Sequence, residues 1–158
     1  DHAGSDIGQP TSFFVGSALN LCPEDLHQEI KTLRRKMRSG ADFLLTQPVH
    51  NPEDLKRFLD TYQAEFGPLE IPLLVGILPL ASARHAAFLH HEVPGIVIPE
   101  KTGQRMQDAG EKGTHEGIKI AIELIEAMRP FVQGVYLMPA FNRFDSCAEI
   151  IEAVRESE

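Results

Sequence analysis

The feature that most constrains this chain is a fourfold alternation. A short, nearly all-apolar run is followed each time by a segment whose apolar residues recur at helical spacing. The runs are Ser12 to Leu19, Phe43 to Leu45, Leu73 to Leu78 and Gly134 to Met138. They are apolar at almost every position rather than at every second one. That predicts strands buried on both faces, in a parallel sheet flanked by helices.

Between the runs, Pro23 is expected to open a helix with the stripe Leu26, Ile30, Leu33 and Met37, stopped by Gly40. Asn51-Pro52 predicts the next start, with Asn as N-cap and Pro in the first turn; that helix ends near Gly67-Pro68. After the third run a helix is expected from Ser82 to His91, then an irregular stretch from Val93 to Pro99. Two further helices follow, one over Glu100 to Ala109 and one striped with Ile118, Ile122 and Ile125. The last helix, Arg143 to Arg155, is expected to turn Cys147, Ile150, Ile151 and Val154 inward. An eight-stranded barrel needs about 250 residues. Four strand–helix units in 158 residues therefore predict half a barrel, with a small open α/β sheet as the alternative. No glycine-rich phosphate loop follows a strand, which disfavours a nucleotide-binding open sheet. The chain reads as one domain over 1–158, with Asp1 to Pro10 as a Gly-, Asp- and Ser-rich loop and an abrupt start that suggests a cut from something larger.

Composition narrows the function classes. The formal net charge of -8 argues against a nucleic-acid partner, which needs clustered Lys and Arg. Pro72 to Leu80 is far too short to span a bilayer, and no basic leader precedes an apolar stretch, so a cytoplasmic, non-membrane protein is expected. Cys22 and Cys147 fit no metal or redox spacing and read as reduced thiols. The histidines show no metal-ligand spacing: His90 and His91 point about 100° apart on a helix. No bound metal is expected.

Ligands of parallel α/β folds meet the C-terminal ends of the strands. The polar residues there are Asn20, then Thr46 and Gln47, then Asn142 and Arg143. The amide of Gln47 could read the edge of a heterocycle or bond a neighbouring backbone group. Arg143, a cation at a helix start, opposes the helix dipole. It suggests either an anionic partner or a salt bridge with Asp145 or Glu149. Arg34-Arg35-Lys36 suits a helix C-terminus on dipole grounds alone, and His85 is either a ligand contact or an ordinary surface histidine. No Ser-His-Asp grouping, paired carboxylates or HExxH is present, so no catalytic residue is assigned.

Several segments together resemble the methylenetetrahydrofolate reductase family. They are Leu33-Arg34-Arg35-Lys36, Ser39-Gly40-Ala41-Asp42-Phe43, Thr46-Gln47-Pro48-Val49, Val75-Gly76-Ile77-Leu78-Pro79-Leu80 and Gly134-Val135-Tyr136-Leu137-Met138-Pro139. Order and spacing match over nearly the whole chain. The segment from Arg84-His85-Ala86 to Pro94-Gly95 looks closest to the reductase part of bifunctional homocysteine methyltransferase/reductase proteins. The resemblance implies the C-terminal half of a (β/α)8 barrel holding FAD, with NAD(P)H as reductant and 5,10-methylenetetrahydrofolate as the substrate reduced to 5-methyltetrahydrofolate.

Carried over by position, Gln47 matches a glutamine that contacts flavin and pterin. Arg35 and Lys36 match basic residues near the flavin diphosphate, and Glu29 and Thr32 match positions on its adenosine side. Arg143 matches an arginine on the folate side. His85 falls where a glutamine meets the folate, and Leu89 where some members stack a phenylalanine. The family's general-acid glutamate and flavin-side aspartate belong to the N-terminal half of the barrel and match nothing here. The chain is therefore expected to be inactive alone, to hold FAD weakly or not at all, and to pair with the missing N-terminal half or with a second copy of itself. Rival readings are another barrel enzyme, such as an aldolase-like lyase, and a non-catalytic interaction module; no strand-end lysine supports the first.

Overall fold

The computed structural model describes residues 3–156. Its elements run β1 (Gly16–Leu19), α1 (Leu26–Arg38), β2 (Phe43–Pro48), α2 (Pro52–Phe66), β3 (Leu73–Ile77), α3 (Ala83–Glu92), α4 (Glu100–Ala109), α5 (Gly113–Met128), β4 (Gly134–Leu137) and α6 (Phe144–Glu156). All four strands pair in parallel, in chain order β1-β2-β3-β4. A nucleotide-binding open sheet reverses its strand order at a switch point. No reversal occurs here, so the winding is that of a barrel segment, as the alternation predicts.

Register assigns the faces. Leu19, Leu44, Leu73, Val75 and Ile77 point toward the helices and are buried. Residues of the other parity, such as Phe43, Leu45, Leu74 and Tyr136, are only half-buried. The predicted burial on both faces is thus met on the helix side alone. Glycines shape the opposite, inner face. A Cβ on Gly76 would stand 2.7 Å from the Tyr136 hydroxyl and one on Gly16 would stand 2.4 Å from the Phe43 ring. The missing Cβ at Gly76 lets Tyr136 cross over β3 and donate its hydroxyl to the Thr46 carbonyl on β2.

Local chemistry explains the helix limits. Asp25, not Pro23, caps α1, accepting from the Gln28 N–H at 3.0 Å. Proline at 23 thus belongs to the loop, because the cap side chain settles the first turn. Gly40, with φ +96, ends the helix. Asn51 caps α2, as expected, and Ser82 caps α3. The crossover helix between β3 and β4 is α5, packed between α2 and α6. Its glycines let it lie against the segment after β3: a Cβ at Gly117 would lie 1.7 Å from the Leu80 carbonyl oxygen.

Two sequence expectations fail at the edges. Strand begins at Gly16 rather than Ser12, leaving Phe13 and Phe14 78% and 75% exposed, with Phe14 stacked on Phe43 at 5.2 Å. Ile151, expected inward, is 48% exposed. It lines an apolar groove of about 550 Å³ beside β4, with Val135, Leu137, Phe144 and Ile150. The two edges differ in chemistry. The Val15 carbonyl accepts from Asp42 N on the β2 side, so the alternate groups at Ala18 and Asn20 face outward. Lys36 Nζ donates to the Ala18 carbonyl at 2.6 Å, and Asn20 N donates to Glu29 Oε1 at 3.2 Å. Side chains of α1 therefore cap the polar groups of the β1 edge, whereas the β4 edge is apolar.

Candidate functional site

The rim at the strands' C-terminal ends gathers polar groups from three strands. Gln47 is exposed, on the inner parity of β2, next to the point where the Thr46 side chain interrupts the ladder. Thr46 Oγ1 accepts from Gly76 N at 3.0 Å and donates to the Gln47 carbonyl at 2.7 Å. Tyr136 holds the Thr46 carbonyl from the other side. The backbone carrying Gln47 is thus tied to β3 and β4, while its own amide makes no hydrogen bond among the described residues. The loop after α3 lies against this rim: a Cβ on Gly95 would stand 3.9 Å from Gln47 Oε1 and 4.0 Å from Asn20 Nδ2.

His50 lies just beyond Gln47 and is 4% exposed, with neither ring nitrogen hydrogen-bonded. Burial, and the nearby His85, push its pKa down to about 4, so the ring is neutral. With Gln47, Asn20, Cys22 and Asp54 it lines a cavity of about 10 Å³. Cys22 donates its S–H to Asp54 at 3.3 Å. Burial first, then that bond, push its pKa up to about 11, so the thiol is not an activated nucleophile.

His85, in the first turn of α3, accepts from Ala81 N through Nδ1 at 3.2 Å. The neutral ring therefore carries its proton on Nε2, and burial lowers its pKa, which favours that neutral form. Its ring and that of Phe141 meet in an edge-to-face pair, 5.0 Å between centroids. Arg143 Nη1 donates to Thr114 Oγ1 at 2.7 Å rather than pairing with Asp145 or Glu149. Gln47 thus lies at the C-terminal end of β2, and His85 and Arg143 follow the ends of β3 and β4, with Arg143 bonded to α5 through Thr114.

Other sequence candidates fall elsewhere. Leu89 is 5% exposed, inside the core under α3, because the α3 stripe turns it inward with Ala86. It does not present its side chain to the rim. Glu29, Thr32 and Lys36 lie along α1 beside the β1 edge, with Lys36 Nζ 3.9 Å from Glu29 Oε1; Arg35 is exposed on the same helix. These residues fit FAD in part: the free Gln47 amide suits a flavin or pterin edge and Arg35 suits a phosphate. Lys36 and Glu29 are engaged by the β1 edge. Residue-by-residue reading missed Tyr136, His50 and Phe141. The inner parity of β4 would have found Tyr136; no local signal marks the other two. Among the described residues no group of three or more His, Cys, Asp or Glu could hold a metal ion, and no helix is long and apolar enough to cross a membrane. Both cysteines are free thiols.

Comparison with known proteins agrees with this fold. Among solved structures, a Clostridium thermocellum protein described as binding two copies of 5-methyl-5,6,7,8-tetrahydrofolic acid superposes with a TM-score of 0.65 at 14% identity, over 84% of this chain and 49% of its own. Methylenetetrahydrofolate reductase 1 of Schizosaccharomyces pombe is 26% identical over 104 residues, 64% of this chain and 17% of the relative. Methylenetetrahydrofolate reductase 2 of Saccharomyces cerevisiae is 24% identical over 109 residues, 66% of this chain and 18% of the relative. The chain thus spans less than a fifth of these curated relatives. The family model for methylenetetrahydrofolate reductase matches residues 18–155, from β1 through α6, and on that match the chain belongs to the methylenetetrahydrofolate reductase family.

Proposed function

We propose that this chain forms the folate-facing part of a reductase that converts 5,10-methylenetetrahydrofolate to 5-methyltetrahydrofolate with NAD(P)H and FAD. Residues 1–158 then act as one partial barrel domain, inactive alone. The observation that supports the reading is the family match over residues 18–155, together with the chain positions of Gln47 at the end of β2, His85 after β3 and Arg143 after β4. The free amide of Gln47 offers a donor and an acceptor to a pterin edge. His85, with its tautomer fixed by Ala81 N–H, offers one donor at Nε2. Arg143 offers a cation to an anionic glutamyl tail.

Bound FAD would supply the two-electron relay between NAD(P)H and the folate. Gln47, Arg35 and Thr32 would hold it, with Lys36 and Glu29 joining once a neighbouring strand relieves them of the β1 edge. The leaving nitrogen of the substrate needs a proton donor. His85, held neutral, and Cys22, held as a thiol bonded to Asp54, are unsuited to that role, so the acid is assigned to the complementary half of the barrel.

The reading is tested with the chain itself. Calorimetric titration with 5-methyltetrahydrofolate should show saturable binding, weakened about tenfold in Gln47→Ala. FAD should separate from the chain on gel filtration, and NAD(P)H oxidation with a folate or quinone acceptor should stay at background. Stoichiometric flavin retention would overturn the inactive-part assignment. Absence of folate binding at millimolar ligand would overturn the folate assignment.

A further inference from the structure

We propose that Phe141 is the stacking residue of this rim, the flat face against which an aromatic ring of a folate packs. The inference rests on the folate reading above and adds a contact residue to it. Phe141 follows β4 directly, in the short turn Ala140–Asn142. Its backbone is left-handed, at φ 53 and ψ 36, and Asn142 follows at φ 58. Asparagine tolerates that region. A bulky residue enters it only against steric strain, and such strain gathers at functional positions.

Burial does not offset the strain, because the Phe141 side chain is 73% exposed. The ring meets the His85 ring at an interplanar angle of 64°. It is therefore contacted on one side while most of its apolar surface stays open. Two groups of matching chemistry lie nearby: the neutral His85 ring, with its proton at Nε2, in contact with Phe141, and Arg143, two residues further along the chain. A flat ring with a polar edge and an anionic tail fits that order. Leu89, the position at which the family resemblance places an aromatic stack, is turned into the core. Phe141 supplies the aromatic face that Leu89 does not.

The test uses the whole chain and 5-methyltetrahydrofolate, titrated by calorimetry and by saturation-transfer NMR. Phe141→Tyr keeps the stacking face and should bind within about twofold of wild type. Phe141→Leu should lose roughly five- to tenfold in affinity. Phe141→Gly should lose at least as much while its thermal midpoint is unchanged or higher, because glycine accepts the left-handed backbone without strain. A purely structural phenylalanine would move both readouts downward together. Leu and Gly variants that bind as wild type, while Gln47→Ala still loses affinity, would overturn the stacking role and leave the folate reading standing. A wild-type chain that binds no folate would overturn both.

Discussion

At the end of β2, His50 is held away from water with both ring nitrogens unpartnered, and its folded pKa falls from 6.5 to about 4. The unfolded chain therefore binds a proton there first. Stability is full above pH ~6.5 and falls as the pH drops toward 4, by up to about 3 kcal/mol from this group. Urea midpoints measured from pH 7 to 4.5 should fall, and His50→Phe should flatten part of that slope; an unchanged slope removes His50 as the cause. His85 makes a second expectation. His85→Gln keeps a side-chain donor and should retain folate affinity within a few-fold, whereas His85→Leu should lose about tenfold. Equal affinities in the two variants would end its assignment as a ligand donor. Gln47, His85 and Arg143 were legible as candidates because strand-end position is a sequence property. His50 and Phe141 were not: what distinguishes them is missing partners and backbone angle, and no residue pattern encodes either.

Among the elements, α5 lies with its backbone close against the segment that follows β3. Gly117→Ala would place a Cβ 1.7 Å from the Leu80 carbonyl oxygen, where the obstacle is backbone rather than a movable side chain. It should destabilise by more than about 3 kcal/mol, or prevent folding, beyond the usual cost of overpacking. A urea midpoint within error of wild type would contradict this packing. The four strands and six helices were legible from apolar runs, caps and stop residues, since those act within a few residues of sequence. Ile122, expected on the inward stripe of α5, is only half-buried, whereas Ile120, Ala121 and Leu124 are buried. The helix is covered by α6, α4 and α2 together, so its buried sector is wider than one stripe.

For the whole molecule the two sheet edges predict how the chain meets partners. Polar groups of the β1 edge are capped by Lys36 and Glu29, whereas β4 and α6 leave an apolar groove containing Ile151 and Phe144. Association, whether with the complementary half or with a second copy, should begin at the β4 side. Light scattering should show concentration-dependent self-association, reduced in Ile151→Glu with little loss of thermal stability. A stable wild-type monomer at high concentration would contradict the prediction.

The alternation of apolar runs with helical stripes determined the parallel α/β winding, and the motif order determined the family, because both depend on residue identity and spacing alone. Three things were decided only by the tertiary structure. One sheet face is covered and the other half-open, Leu89 points inward while Phe141 points out, and α1 spends Lys36 and Glu29 on the β1 edge. Each depends on what stands across from a residue in space, and separation along the chain does not carry that information.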